Sequence, residues 1–264
     1  MHIFLSSQIR DIFQVESVIR WANSLNDPKI GVELLAFTHD DDYWKILCGA
    51  LKKARCPLTF HGPYIGIEGT SAPSTGLWRF LMESYERVFA LAREYGAHHV
   101  VYHMTQLAFP VDKLEKARAS AEQNLSVILG MAEEAGVKVL VENLPYPRGG
   151  APLYDNEAYG SFFTRHPNVD SLVDLGHVNL NRMNAAEFLR QHGERVKAYH
   201  FHNNDGLSDL HRDICSGTFS YTDFVPLYKK YTPQTNIVLE YSTRVNFDDK
   251  LLRSHIEYVF SNFT

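Results

Sequence analysis

The chain has 264 residues, of which 45% are hydrophobic, 22% charged and 12% aromatic, and it contains 16 Gly and 11 Pro. This composition excludes collagen-like, coiled-coil and disordered chains and predicts a globular protein. The formal net charge of −5, from 26 Lys and Arg against 31 Asp and Glu, disfavours nucleic acid as a partner because no overall positive field attracts phosphate groups.

Short runs of β-branched residues alternate with amphipathic segments eight times along the chain. Several runs, such as Val137–Val141, are apolar on both faces, which is typical of strands that are covered on both sides. The predicted strands are His2–Ser7, Ile30–Phe37, Leu58–Tyr64, His99–Met104, Lys138–Leu144, Val169–His177, Val196–Asn204 and Asn236–Ser242.

Between the strands, apolar residues recur three and four apart, most clearly over Trp78–Tyr95, Lys113–Ala135 and Asp248–Phe263, and predict helices. Gly96 and Gly136 follow two of these helices, where left-handed caps are expected. The alternation predicts an α/β protein, a single (β/α)8 TIM barrel that forms one domain over residues 1–264. A doubly wound sheet is the alternative, but the sequence lacks the glycine-rich loops that bind nucleotide cofactors.

The sequence predicts a cytoplasmic protein that does not associate with membranes. No apolar run approaches the roughly 18 residues that span a bilayer, and the first residues lack the pattern of a secretory signal. The chain has only three cysteines and no Cys-x-x-Cys spacing, which favours a reducing compartment and argues against a zinc ribbon.

Imidazole and carboxylate side chains stand at the carboxyl ends of the predicted strands or in the loops that follow. In a closed parallel barrel these ends converge on one rim, so the side chains are expected to meet. Glu142 follows the apolar run Val139–Val141, and a carboxylate there needs a positive partner to offset the cost of leaving water. A divalent metal, Mn²⁺ or Zn²⁺, suits mixed nitrogen and oxygen donors. The candidate ligands are His61, His103, Glu142, Asp174, His177, His202, Asp209, His211 and Glu240.

Each of these residues also has a structural interpretation. Asp174 could cap a turn, Glu240 could pair with Arg244, and His200, one pleat deeper than His202, could be packed or could support a ligand. The joint pattern at successive strand ends favours a metal site. The histidines assigned to the core or to loops are His2, His39, His98, His99, His166, His192 and His255.

The motifs at these strand ends occur in a characteristic order. They are Phe60-His61-Gly62-Pro63-Tyr64, Tyr102-His103, Val141-Glu142-Asn143-Leu144, Val173-Asp174-Leu175-Gly176-His177, Phe201-His202-Asn203-Asn204-Asp205, Asp209-Leu210-His211 and Leu239-Glu240. This ordered set resembles the xylose isomerase-like TIM barrel superfamily, which contains sugar and sugar phosphate isomerases and epimerases together with endonuclease IV, of AP endonuclease family 2. The resemblance covers about three quarters of the chain.

The resemblance implies roles for the individual residues. In the isomerase and epimerase branch, the positions of Glu142, Asp174, His202 and Glu240 bind one divalent metal, and the two glutamates act as acid and base. In endonuclease IV, all nine candidate positions bind three zinc ions, so one to three ions of Mn or Zn are expected. The resemblance also implies that dimers and tetramers are common, so a homo-oligomer is consistent with it. The expected substrate-binding residues are His61, His103, His177 and Arg148.

Three functions follow as hypotheses. The first is a metal-dependent isomerase or epimerase of a small-molecule carbohydrate or related hydroxy-carbonyl compound, with Glu142 and Glu240 transferring protons through an ene-diolate. The second is an abasic-site endonuclease with a trinuclear zinc centre, although the loops carry few cations. The third is a barrel that binds a ligand or subunit without turnover. Arg148 and Ser208 stand where ketose 3-epimerases have Glu and Arg, which argues against a free ketohexose as substrate. Arg148 and Arg182 are either contacts for a phosphate or carboxylate or solvated loop residues.

Overall fold

The computed structural model describes residues 1–245 and 247–264. Its strands are β1 (Ile3–Ser6), β2 (Ile30–Leu35), β3 (Leu58–His61), β4 (Val100–Tyr102), β5 (Val139–Glu142), β6 (Asp170–Asp174), β7 (Val196–Phe201) and β8 (Asn236–Leu239). Consecutive strands pair in parallel, and β1 pairs with β8, so the sheet closes into a barrel. The predicted (β/α)8 TIM barrel is confirmed.

Helices surround the barrel, and most of them begin where the sequence supplies a capping side chain. Asp40 and Thr75 each accept a hydrogen bond from a backbone N–H in the first turn of the helix that follows. Gly96 and Gly136 adopt left-handed conformations after two helices, as predicted, with φ of 63° and 68°. Within the described residues, no helix has both the length and the apolar character needed to cross a bilayer. The helices are α1 (Val15–Leu25), α2 (Asp41–Leu51), α3 (Gly76–Glu94), α4 (Leu114–Ala135), α5 (Asn156–Arg165), α6 (Leu175–Leu180), α7 (Ala185–His192), α8 (Tyr221–Tyr231) and α9 (Asp249–Phe263).

The barrel has two hydrophobic regions, because alternate side chains of each strand point outward to the helices and inward to the barrel axis. The larger region packs strands against helices. The smaller one is a separate, fully buried cluster made of Val101, Leu140, Leu172 and Ala198. Glu142, Asp174 and His200 each lie two residues after a member of this cluster on the same strand. They therefore share the inward face and lie one layer nearer the rim.

The strands end earlier than the sequence analysis predicted. The third strand ends at His61 rather than at Tyr64, and the sixth ends at Asp174 rather than at His177. The error at the sixth strand has a physical cause: a carboxylate oxygen of Asp174 accepts the backbone N–H of His177 at 2.6 Å and starts α6. His177 therefore lies on a helix, on a turn that faces the rim.

Candidate metal centre

The polar side chains predicted at the strand ends form one connected cluster at the carboxyl rim of the barrel. His61, Glu142 and Asp174 are the last residues of their strands, and His202 and Glu240 directly follow theirs. Each of the nine predicted donors lies within 3.9 Å of at least one other, measured between a ring nitrogen and a carboxylate oxygen. The barrel therefore brings together all nine predicted donors, from His61 to Glu240.

Backbone carbonyls fix the orientation of three histidine rings in this cluster. In each ring, Nδ1 lies at hydrogen-bonding distance from a carbonyl oxygen, so the Nδ1–H donates to it and Nε2 faces the cluster. The pairs are His61 with Gly62 at 3.1 Å, His177 with Asn143 at 2.8 Å, and His211 with Glu240 at 3.0 Å. Metal-binding histidines typically have this arrangement.

One side of the cluster consists of His61, His103 and Glu142, which can each offer a ligand atom within 4.8 Å of the other two. Nε2 of His103 lies 2.7 Å from Oε2 of Glu142, and Nε2 of His61 lies 3.8 Å from the same oxygen. All three side chains are more than nine-tenths buried. A small ion at this point would be held by two imidazoles and one carboxylate.

The opposite side of the cluster consists of His177, His202, Asp209 and His211, again with ligand atoms within 4.8 Å of one another. Oδ2 of Asp209 lies 3.3 Å from Nε2 of His177 and 3.1 Å from Nε2 of His211. The rings of His202 and His211 stack with their centroids 3.8 Å apart. This side is more open, because the Asp209 side chain is 31% exposed.

Three carboxylates converge between these two sides. Oxygens of Glu142, Asp174 and Glu240 lie 3.4, 3.6 and 3.1 Å from Nδ1 of His200. The remaining predicted core ligand, His202, places Nε2 3.0 Å from Oδ2 of Asp174. The imidazole of His200 thus lies where three negative groups meet, which is the position that a positive charge favours.

Glu33 belongs to the site although the strand-end pattern does not predict it, and His200, which that pattern leaves either packed or supporting a ligand, lies beside it. Glu33 is fully buried inside the barrel, with Oε1 3.1 Å from Nε2 of His200 and Oε2 3.8 Å from Nε2 of His99. His99, assigned to the core, is indeed buried there. Glu33 could have been found, because it is a carboxylate within the apolar run Ile30–Leu35, the same pattern that identified Glu142.

The buried acids and imidazoles shift each other's pKa. Burial alone would raise the pKa of Glu142, but His103 and His200 hold it well below its ordinary value. Burial alone would lower the pKa of His177, but Asp174 raises it well above its ordinary value, helped by hydrogen bonds. The neighbouring imidazoles thus keep Glu142 ionised, and the nearby carboxylates favour the protonated form of His177.

The donor set fits a divalent metal. Its members are imidazole nitrogens and carboxylate oxygens, a mixture that suits Zn²⁺ and Mn²⁺ better than an all-oxygen cage for Ca²⁺ or Mg²⁺. Nδ1 of His103 and of His202 is buried without a hydrogen-bond partner among the described residues, while Nε2 of each faces a carboxylate. The clusters of candidate ligands make a metal centre the natural interpretation of this rim.

One predicted site residue does not join the cluster. Arg148 is exposed in the loop after β5, and the described residues give it no hydrogen bond or ion pair with the nine donors. Glu142 instead borders a recess between the loops after β4 and β5, whose apolar lining includes Met104, Leu144 and Leu153.

Comparison with known proteins agrees with this architecture. The family model described as xylose isomerase-like TIM barrel matches residues 29–260. The chain belongs to the xylose isomerase-like TIM barrel family. An uncharacterised curated protein of Methanocaldococcus jannaschii is 28% identical over 152 residues, which are 54% of this chain and 55% of that protein. The match thus spans about half the length of this curated relative.

Several solved structures share this fold. A D-tagatose 3-epimerase-like protein has a TM-score of 0.77 and 19% identity, with 100% of both chains covered. The IOLI protein, solved with a bound zinc atom, has a TM-score of 0.79 and 13% identity over 100% of both chains. An AP endonuclease, family 2, from Brucella melitensis has a TM-score of 0.72 and 15% identity over 97% of this chain and 98% of that chain. At these identities the likeness shows the shared fold.

Proposed function

We propose that this member of the xylose isomerase-like family is a divalent-metal-dependent isomerase or epimerase. Its substrate would be a small carbohydrate, a sugar phosphate or a related hydroxy-carbonyl compound. Glu142, Asp174, His202 and Glu240 would bind the metal, and Glu142 and Glu240 would also transfer the proton. The fold shared with the D-tagatose 3-epimerase-like protein supports this assignment.

The observation that carries the proposal is the placement of two glutamates around one point. Glu142 on β5 and Glu240 after β8 each have an oxygen within 3.4 Å of Nδ1 of His200, and Nε2 of His61 lies 3.8 and 3.9 Å from the same two side chains. An epimerisation needs one group to remove a proton from carbon and a second to return one. Two carboxylates held this close can flank a single reacting carbon.

The four proposed metal ligands would have different roles in the reaction. A divalent cation bound here would polarise the substrate carbonyl. Either Glu142 or Glu240, starting as a carboxylate, would take the proton from the carbon beside that carbonyl, which gives an ene-diolate. The other, starting as a carboxylic acid, would deliver its proton to the opposite face. The side chains of Asp174 and His202, both fully buried, would hold their positions throughout.

Proton exchange with solvent tests this proposal directly. The metal-loaded protein is incubated in D₂O with a panel of aldoses, ketoses and their phosphates, and each compound is followed by NMR. We expect deuterium to enter at the carbon beside the carbonyl of at least one compound, and Glu142→Gln and Glu240→Gln to abolish the incorporation. Glu115→Gln is the matched control, because Glu115 lies on the exposed surface of α4. A panel without any exchange would contradict the proposal.

A second candidate function is an abasic-site endonuclease with several zinc ions. The observation that favours it is that His61 with His103, and Asp209 with His211, extend the central donors on both sides. Against it, a nucleic acid duplex needs several phosphate contacts, and the net charge is −5. Metal analysis and nicking of an abasic duplex separate the two: about three zinc ions per chain with nicking favour the nuclease. Ligand binding without exchange, conversion or nicking would instead indicate a non-catalytic barrel.

A further inference from the structure

A second group of side chains that can bind a metal shares no member with the nine donors at the barrel rim. Asp213 and Cys215 belong to the loop between β7 and α8, and His255 lies on α9. One ligand atom from each of the three residues falls within 4.8 Å of the other two. This group, which we call the outer site, combines a thiol, an imidazole and a carboxylate from two segments that are distant in sequence.

The imidazole of His255 contacts a tyrosine hydroxyl through one nitrogen and faces Asp213 with the other. Its Nδ1 lies 3.1 Å from the hydroxyl of Tyr241, and its Nε2 is directed toward Asp213, whose Oδ1 is 3.9 Å away. An Nδ1–H that donates to the Tyr241 hydroxyl leaves the lone pair of Nε2 facing the outer site. The ring is 5% exposed, and its burial lowers the pKa of His255, so the neutral form that binds metals predominates.

The two loop residues are arranged by a local turn. Oδ1 of Asp213 accepts the backbone N–H of Cys215 at 2.9 Å, and the backbone oxygen of Asp213 accepts the N–H of Ser216 at 3.0 Å. This turn places the carboxylate and the thiol on neighbouring residues of one loop while Cys215 stays exposed. An ion could therefore reach the thiol from solvent without any opening of the barrel.

We propose that Asp213, Cys215 and His255 bind a divalent cation of the zinc class, separate from the ions of the rim. Thiolate, imidazole and carboxylate are the donors that Zn²⁺ and Co²⁺ share, whereas Ca²⁺ and Mg²⁺ avoid sulfur. Binding replaces the thiol proton, which passes to solvent as the sulfur–metal bond forms. Three protein ligands leave the fourth tetrahedral position to water.

Such an ion would restrict the movement of the loop between β7 and α8, which carries two of the rim donors. Asp209 and His211 precede Asp213 in the same loop, which is paired with the end of β7 through hydrogen bonds between Asn203 and Arg212 of 2.8 and 2.9 Å. The outer site would add a link from this loop to α9, on the outside of the barrel. The outer ion would thus stabilise the position of Asp209 and His211.

Cobalt absorption tests the outer site, because a thiolate ligand produces a sulfur-to-cobalt charge-transfer band that nitrogen and oxygen ligands do not. The nine donors of the rim include no sulfur, and the chain has only three cysteines. The full-length protein, stripped of metal, is titrated with Co²⁺ under reducing conditions. We expect the band to appear in the wild type and to be lost in Cys215→Ser, with about one fewer ion bound per chain.

The controls are Cys48→Ser and Cys56→Ser, which remove the other two thiols and should leave the band intact. Because Cys215 is exposed, its replacement by serine should not disturb folding, and circular dichroism would verify this. His255→Gln provides an independent check on the partner helix and should weaken the band. Absence of the band in the wild type, or its persistence in Cys215→Ser, would overturn the proposal.

Discussion

Glu33 and His200 form a buried pair inside the barrel, with Oε1 of Glu33 3.1 Å from Nε2 of His200 and both side chains fully inaccessible to solvent. Nδ1 on the opposite edge of the same ring faces Glu142 and Glu240. His200 therefore connects a carboxylate below the rim with the carboxylates at the rim. Burial alone would lower the pKa of His200, but Glu240, Glu33 and Glu142 raise it well above its ordinary value.

Replacement of Glu33 should destabilise the metal-free protein. Glu33→Gln removes one partner of a buried ion pair, and such losses cost about 3 to 5 kcal/mol because a buried charge loses its counter-charge. Denaturant unfolding in the presence of a chelator measures the effect. Glu115→Gln is the control, since Glu115 pairs with Arg118 at an exposed position, where a salt bridge contributes about 0 to 1 kcal/mol. Equal losses in the two variants would show that the Glu33–His200 pair is not charged.

Metal binding should release protons at neutral pH. Burial lowers the pKa of His211, but Glu240 and Asp209 raise it, so that the net pKa is about 9 against an ordinary 6.5. The ring is therefore protonated below about pH 9 and must lose its proton before Nε2 can bind a cation. Calorimetric titration with Zn²⁺ at neutral pH in buffers of different ionisation enthalpy measures the release. A heat of binding that does not depend on the buffer would contradict this expectation.

The same shift predicts how stability depends on pH without metal. Because the folded-state pKa of His211 lies above the unfolded value, its contribution to stability is complete below about pH 6.5 and is lost as the pH rises toward about 9. The metal-free protein should therefore melt at a lower temperature at pH 9 than at neutral pH. His211→Gln should reduce the difference between the two melting temperatures. If the melting temperatures at the two pH values differ as much in His211→Gln as in the wild type, groups other than His211 cause the pH dependence.

Gly176 leaves room for the ring of His202. A Cβ atom at position 176 would lie 2.0 Å from Cε1 of His202, whose ring is fully buried and stacked on His211. Gly176→Ala should therefore displace His202, lower the free energy of unfolding by about 1 to 3 kcal/mol and reduce the amount of metal bound. Thermal unfolding and metal analysis measure the two effects.

The control for this variant is Gly130→Ala. Gly130 lies within α4, and a Cβ atom there would meet nothing within 4 Å. Alanine should be neutral or stabilising by about 0.5 to 1 kcal/mol at such a helical position, with no effect on metal content. Wild-type metal content in Gly176→Ala would show that His202 is not a ligand.

Asn143 should affect metal affinity through Asp174. Its side chain accepts the backbone N–H of Asp174 at 2.7 Å and donates to the backbone oxygen of the same residue at 3.0 Å. Asn143→Ala removes both bonds, and loss of such supporting contacts typically lowers metal affinity about 10-fold to 100-fold. Asn124→Ala is the control, because Asn124 is equally buried but contacts Gly69, Ser71 and Trp78 instead. Similar metal affinities in the two variants would exclude this role for Asn143.

The eight strands and the convergence of the nine donors could be predicted from the sequence. Apolar runs such as Val139–Val141 identify strands that are buried on both faces, and barrel closure then fixes where their carboxyl ends lie. The positions of the strand ends could not be predicted in the same way. Asp174 lies inside the predicted strand Val169–His177, but its carboxylate caps α6 and ends the strand. Local hydrogen bonding of one side chain decided this boundary.

The inner layer of the site was harder to predict, because it depends on which inward-facing residues of different strands lie at the same height. Glu33 lies on β2 and His200 on β7, far apart in sequence, and only the register of the closed sheet brings them to 3.1 Å. Strand alternation places each residue on the inward face. It does not say which partner each one meets across the barrel.

The central claim is that Glu142, Asp174, His202 and Glu240 share one divalent ion at the rim of the barrel. Crystallographic anomalous scattering at the zinc edge, from protein loaded with Zn²⁺, tests this most directly. We predict a peak at about 2.0 to 2.2 Å from a carboxylate oxygen or ring nitrogen of each of these four side chains. Loaded crystals with no peak among them, or with a peak that touches only one, would contradict it.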